Sequence, residues 1–196
     1  MMTDNRQEQA VVPVTLRDGS IAELRPIGPA DKGLLVEGLQ QMSAKSKFAR
    51  FGSGIASLSA SELRYLTDVN QVSHVAWGAV IGDEPAGVGR YIVDGAAEAE
   101  IAITVVDEFQ RRGLGGSLLD ALAASARASG IEIFHFAIEP WNRGVLRMLP
   151  GIAVGHDEND GMLTGRIELS QVPTSRHEEE FVDLLDQCRQ EWPVPG

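Results

Sequence analysis

Glu98-Ala99-Glu100-Ile101-Ala102-Ile103-Thr104-Val105-Val106-Asp107-Glu108-Phe109-Gln110-Arg111-Arg112-Gly113-Leu114-Gly115-Gly116 joins a strand to a glycine turn. From Glu98 to Val106 the residues alternate with period two. Ile101, Ile103 and Val105 fall on one face and Glu98, Glu100, Ala102 and Thr104 on the other. The first face reads as core and the second as the wall of a cleft. After the turn, Leu118, Leu119, Leu122 and Ala126 recur at helical spacing until Gly130 stops the helix. A strand that feeds a helix through glycines aims backbone N–H groups at the positive end of a helix dipole, which makes a seat for phosphate or pyrophosphate. Two families of phosphate turn are excluded by spacing. A P-loop needs Lys and then Ser or Thr after its last glycine, whereas Gly116 is followed by Ser117 and Leu118. A dinucleotide turn counted from Gly113 has Gly115 in second place but Leu118 where its third small residue belongs.

Outward from this segment, helical and strand periods alternate, which predicts an α/β or α+β domain. Val14–Leu16 and Ile21–Arg25 flank Asp18-Gly19, a pair suited to a tight hairpin. A helix follows Pro29-Ala30-Asp31, and Ser59 with Glu62 forms a capping box for another. His74–Ile81 and Ala86–Val93 read as an antiparallel hairpin across Gly82–Pro85. Downstream come a strand at Ile131–Ile138, a short helix at Trp141–Leu149, and closing strands at Ile152–Val154 and Met162–Leu169. Ser175 and Glu178 form a further capping box. The helix behind it carries a stripe of Phe181, Leu184, Leu185 and Cys188, to be covered by the parent domain, by a second copy of the chain, or by a cleft that it closes. The expected organisation is a flexible segment 1–13, a domain over 14–170, and an acidic helix and tail over 171–196.

Composition narrows the function. The chain has 196 residues, 43 % of them hydrophobic, enough for one cored domain. No run approaches the about 18–20 apolar residues of a membrane span, and the polar first ten residues make no secretory signal. One cysteine, Cys188, fits a reducing cytoplasm. The net charge is −11. Residues 157–196 hold ten acidic side chains against Arg166, Arg176 and Arg189, and so account for −7 of it. That field repels nucleic acid and favours cationic partners. His74, His135, His156 and His177 lack metal-ligand spacing, so no metal is expected.

Gln110-Arg111-Arg112-Gly113-Leu114-Gly115 resembles the Gln/Arg-x-x-Gly-x-Gly/Ala signature of the GNAT superfamily of N-acyltransferases, and the resemblance extends over roughly Val14 to Leu169. Asp18-Gly19, Arg25-Pro26-Ile27, the Ser-x-x-Ser-x-x-x-Arg-Phe run from Ser43 to Phe51, and Glu100 are similar to the acetyltransferase domain of bacterial Pat-type protein-lysine acetyltransferases. This implies a GNAT fold: a mixed central sheet splayed at an acetyl-CoA site, with helices on both faces. The C-terminal amphipathic helix is added to it. The resemblance also implies roles. Val105 and Asp107 would bind pantetheine through their backbone. The pyrophosphate would lie on the turn Gln110, Arg111, Arg112, Gly113, Leu114, Gly115 and Gly116, with Ser117 beside it. Asn142 would sit near the thioester.

Acetyl transfer to an amine needs a free base, yet a lysine-type amine has a pKa of about 10.4. A carboxylate that takes its proton meets that need. Glu100 matches the strand glutamate that is general base in Pat-type enzymes; burial among apolar neighbours is expected for it, with Glu98 in reserve. The Val106 amide is assigned to polarise the thioester carbonyl. The tyrosine that many relatives carry shortly after the asparagine is absent from Asn142–Leu149, which leaves the thiolate acid unassigned. The expected acceptor is a protein lysine, with a polyamine, an amino acid or an aminoglycoside as the small-molecule alternative. A non-catalytic acyl-CoA-binding module is the alternative from another class.

Overall fold

The computed structural model describes residues 10–52, 57–142, 144, 154–156 and 161–191. Its strands are β1 (Val12–Thr15), β2 (Ile21–Pro26), β3 (His74–Ile81), β4 (Glu84–Val93), β5 (Glu98–Val105), β6 (Ile133–Ile138), β7 (Val154–His156) and β8 (Leu163–Glu168). They form one sheet in the order β1-β2-β3-β4-β5-β6-β8-β7. Every pair is antiparallel except β5 with β6, which a helical crossover makes parallel. The helices are α1 (Lys32–Gln41), α2 (Ala44–Phe51), α3 (Ala60–Thr67), α4 (Leu114–Ala128) and α5 (Glu178–Glu191).

Two glycines bring α4 onto the sheet. A Cβ at Gly87 would stand 2.9 Å from the Thr104 carbonyl and 3.1 Å from Leu118, and one at Gly89 2.9 Å from Leu122. Leu118 and Leu122 are fully buried there, each stabilising the fold by about 1.5–3 kcal/mol. α5 lies beside α4 over β1 and β2. The Phe181 ring meets Trp77 edge-on at 5.3 Å, and the Trp77 indole donates to Ser125 Oγ at 3.0 Å. α1 and α3 cover the opposite face, on the side of Gly78, Val88 and Ala102.

Several expectations shift. The chain joins the sheet at Val12, two residues before the expected start of the domain. The first hairpin is looser than expected. Thr15 pairs with Ile21, leaving five residues between, and the Ser20 amide and hydroxyl both donate to Asp18 Oδ1. The Ser59 box forms as expected, with the Glu62 amide on Ser59 Oγ at 3.2 Å and the Ser59 amide on Glu62 Oε2 at 2.7 Å. The Ser175 box does not: the Glu178 carboxylate turns to Arg127 at 2.8 and 2.6 Å, and Ser175 Oγ accepts from the His177 amide. The tail stripe packs on its own domain, with Phe181, Leu185 and Cys188 buried. Burial pushes the Cys188 thiol up to about 12, which makes it a poor nucleophile. The helix expected at Trp141–Leu149 and the residues 152 and 153 of the expected strand lie outside the described residues, apart from Trp141, Asn142 and Gly144.

One irregularity shapes the site. β6 pairs with β8 along its whole length, from Ile133 to Ile138, but with β5 only at Glu98, Ala99 and Glu100. Beyond Glu100 the two strands part. From Ile101 to Val105, β5 keeps its partner in β4 and opens its other edge into a wedge.

Candidate active site

Strand alternation decides which peptide groups of β5 face this wedge. The Val106 amide donates to the Ala86 carbonyl at 2.9 Å, and the Glu98 carbonyl accepts from Asp94 and Gly95 at 3.2 and 3.4 Å. Both therefore point at β4, as do the even-numbered residues between them, while Ile103 and Val105 point into the wedge. The assignment of the Val106 amide to a thioester carbonyl is thereby corrected, because that donor is spent inside the sheet. The Val105 carbonyl does face the wedge, where it accepts from Gln110 Nε2 at 3.0 Å.

The wedge runs out at the glycine turn. Arg111 (φ 65°) and Gly113 (φ 100°) both adopt left-handed backbone, a combination that curls a chain around an anion. Helix α4 begins at Leu114, earlier than expected, so Gly115 and Gly116 belong to its first turn. The Gly116 and Ser117 amides bond the Gly113 carbonyl at 2.9 and 3.2 Å, which removes Gly116 from the expected anion donors. Leu114 and Gly115 keep first-turn amides with no intrahelical acceptor. Ser117, in the same first turn, also lines a second crevice with Asp120 and Ser175. The Arg112 guanidinium is structural: it reaches the Glu108 carbonyl at 2.9 Å and Asp18 at 3.3 Å, and stacks on Phe109. With the Arg17 amide on the Arg112 carbonyl at 2.9 Å, it pins the turn to the first hairpin.

On the far side of the wedge, the half-buried Asn142 closes β6, its amide on the Glu139 carbonyl at 2.8 Å. Trp141 beside it lies under Lys45 Nζ of α2, at 4.9 Å. Helix α2 is anchored from the near side. Asp107 Oδ2 accepts from the Ser43 amide at 2.9 Å, and Oδ1 from the Ser43 and Ser46 hydroxyls at 2.8 Å each. Burial works to raise the Asp107 pKa, but these bonds outweigh it and lower it.

Over the α1 face of β3, β4 and β5 lies an apolar cleft floored by Gly78, Val88, Ala102 and Thr104, and walled by α1, Arg50 of α2 and Leu66 of α3. Glu100 stands at its mouth, on the same face as Ala102. It is exposed, contrary to the expected burial. Its carboxylate acts on Arg50, where it partly counters the lowering of that guanidinium's pKa by burial. Glu98 is unsuited to reserve duty. Arg166 holds it at 3.0 and 2.7 Å and lowers its pKa. Across the parallel pair, His135 lies in register with Glu100 and bonds Asp94 at 2.6 Å.

Two features escape sequence reading. The Ser43–Asp107–Ser46 knot spans 61 to 64 residues of chain. Arg90, in the middle of an apolar strand, is buried in the cleft wall against His74 and the Leu66 carbonyl. Neither has a local spacing that announces it.

Residues 44–149 match the acetyltransferase (GNAT) family. The acetyltransferase Pat of Mycolicibacterium smegmatis is 30 % identical over 184 residues, which is 89 % of this chain and 54 % of that protein, so the chain spans about half of that relative. The crystal structure of the GNAT domain of S. lividans PAT superposes with a TM-score of 0.76 at 32 % identity, covering 81 % of this chain and 96 % of that one. The structure of yncA from Salmonella typhimurium with acetyl-CoA shares the fold, with a TM-score of 0.61 at 16 % identity over 76 % of this chain and 95 % of that one. The family match covers more than half of the residues, and its span contains both the splayed strands and the glycine turn: the chain belongs to the GNAT acetyltransferase family.

Proposed function

We propose that the chain is an acetyl-CoA-dependent N-acetyltransferase that acts on a primary amine, that of a protein lysine, by direct attack within a ternary complex. The parting of β5 from β6 beyond Glu100 carries this reading. It leaves an extended backbone edge, at Ile103 and Val105, that ends at the first turn of α4. A pantetheine arm fits such an edge as an added strand, and a pyrophosphate fits the amides of Gly113, Leu114 and Gly115 at the end of the helix dipole. When bound, acetyl-CoA supplies an acetyl thioester open to aminolysis.

The protein's part is positional and electrostatic. The Ile103 amide, aimed into the wedge, replaces Val106 as the donor to the thioester carbonyl. Glu100, exposed on the strand face beside the wedge, takes the proton of the arriving ammonium directly or through one water. Asn142, on the β6 side, orients the pantetheine amides. Gln110 releases the Val105 carbonyl as the arm binds. Two features favour a lysine on a protein surface: a base at the mouth of the cleft rather than its floor, and the overall charge of −11, which attracts cations. The likeness to Pat points the same way. A cytoplasmic setting suits a protein with this substrate.

The test is incubation of the chain with isotope-labelled acetyl-CoA and a panel of lysine-bearing proteins and small amines, read by thiol release and by mass spectrometry of the acceptors. The expected result is labelled lysine and stoichiometric thiol. Tight CoA binding in calorimetry without turnover on any amine would identify a carrier module instead, and lack of any affinity for CoA would refute the site.

A further inference from the structure

Arg90 is 5 % exposed, and among the described residues no carboxylate pairs with it. Its guanidinium meets the Leu66 carbonyl only at 3.5 and 3.4 Å, and His74 Nε2 at 3.1 Å. Burial, and then the charge of Arg50, bring the Arg90 pKa down to about 10. Burial, and then Arg90, bring His74 down to about 4, so the imidazole is neutral at pH 7 and offers no countercharge. Arg50 lines the same cleft, half-buried, and Glu100 at the mouth acts on Arg50. The other cleft arginine, Arg25, is already matched by a two-point ion pair with Asp31. Glu23 also lines the cleft, but it is exposed and acts on neither Arg50 nor Arg90.

Two guanidiniums that share an apolar cleft repel each other, and a buried cation without a counterion is costly to keep. A protein of net charge −11 has carboxylates to spare, yet among the described residues none stands beside Arg90. An anion that arrives with the substrate removes both penalties. The planar, forked guanidinium suits a carboxylate, and apart from Glu23, the Arg25–Asp31 pair and Thr104 the remaining wall is apolar. We propose that the cleft binds a carboxylate of the acceptor itself, held by Arg90 and Arg50 while the acceptor's amine faces Glu100. This deepens the proposed function and rests on it only for the reaction catalysed. The carboxylate has two possible sources, an amino-acid-like acceptor or an acidic side chain beside a target lysine. The chemistry that the cleft reads is the same.

The site is first tested without coenzyme. Glutarate and its diamide are titrated into the full chain by calorimetry and thermal shift, using the wild type, Arg90→Met and Arg50→Gln. Glutarate should bind and stabilise the wild type while the diamide does not, and each substitution should weaken glutarate by about tenfold or more. Arg90→Met should itself melt no lower than the wild type, since it removes an unbalanced buried charge; should it fail to fold, Arg50→Gln on the rim gives the same reading. With acetyl-CoA present, 6-aminohexanoate is then compared with its amide, and a lysine peptide flanked by Glu with one flanked by Gln. Whichever pair shows an acid preference of about tenfold in kcat/KM, mainly through KM, names the source, and that preference should collapse in Arg50→Gln. Glutarate binding no tighter than the diamide, or equal use of acid and amide in both pairs, overturns the proposal. Glutarate binding with no turnover of any amine leaves the site standing and sinks the acetyltransferase reading.

Discussion

The two sides of β5 are built by different means. On the wedge side, the features that matter are backbone: a strand edge stripped of its neighbour after Glu100, two left-handed residues, and the opening turn of α4. On the cleft side they are side chains brought from four elements: Glu100 from β5, Arg90 from β4, Arg50 from α2 and His74 from β3. A backbone seat tolerates many side chains, provided the path of the chain is kept. A side-chain seat is specific and mutable, which lets an acceptor site vary while a backbone seat is kept.

The sharpest break in this comparison is Glu100→Gln. It leaves the backbone seat untouched and removes the proposed proton acceptor. The expected loss in kcat is about 10²–10⁴-fold, with affinity for acetyl-CoA unchanged. Calorimetry alongside a thiol-release assay separates the two readouts, and a parallel loss of coenzyme affinity would show that the two sides are not independent. Gly113→Ala attacks the other side. At φ 100° a Cβ is strained, and it would lie 3.4 Å from Arg17 Cγ. The expected cost is about 1–3 kcal/mol of stability or coenzyme affinity, with glutarate binding in the cleft preserved. Weakening of both ligands together would mean that the turn also sets the cleft.

This contrast explains what the sequence makes legible. The alternation from Glu98 to Val105, the hydrophobic spacing of α4 and the Ser59 box are local patterns, and each recurs in the structure, although α4 starts before the glycines expected to precede it. Errors arise where a local rule meets a partner far away in sequence. The peptide group of Val106 is in the right strand, but its direction depends on which edge β4 occupies. Ser175 and Glu178 have the spacing of a capping box, yet the Arg127 guanidinium draws the carboxylate away, because a two-point charged bond outweighs one to a backbone amide. Gly115 and Gly116 suggest a turn, but the helix absorbs them, and the loop bends instead at Arg111 and Gly113. Arg90 reads as one polar residue in a strand. Its burial depends on α1, α2 and α3 folding over it, which no short window contains.

His74 tests the cleft by acid. Its pKa falls from 6.5 to about 4 in the folded chain through burial and the Arg90 charge, with the Tyr65 ring 5.2 Å away and Arg50 acting in turn on Arg90. Since the folded pKa is the lower one, the unfolded chain binds the proton more readily. The neutral-form stability is complete above pH 6.5 and is lost as pH falls from 6.5 towards 4. After discounting for partial exposure, the loss is on the order of 1–2 kcal/mol. It should be absent from His74→Gln in denaturant titrations across that window. Bound glutarate should shrink it, because an anion on Arg90 removes part of what makes the imidazolium unfavourable.

The smallest expected effect lies where the two sides meet. Asp107 closes the end of β5 and at the same time caps α2 through Ser43 and Ser46. Asp107→Ala removes those three bonds from a partly exposed position, at an expected cost of about 1 kcal/mol. The folded Asp107 pKa is lowered, so its contribution is present above the unfolded value of 3.8 and fades as pH falls below it. Arg50 rides on α2, and its guanidinium must hold its angle to contribute to the cleft. The substitution should therefore raise KM for the acceptor more than it lowers kcat, and leave coenzyme binding at the backbone seat unchanged. Equal losses in both kinetic constants would place Asp107 among the groups that act on the thioester, and would join two sides that the fold keeps apart.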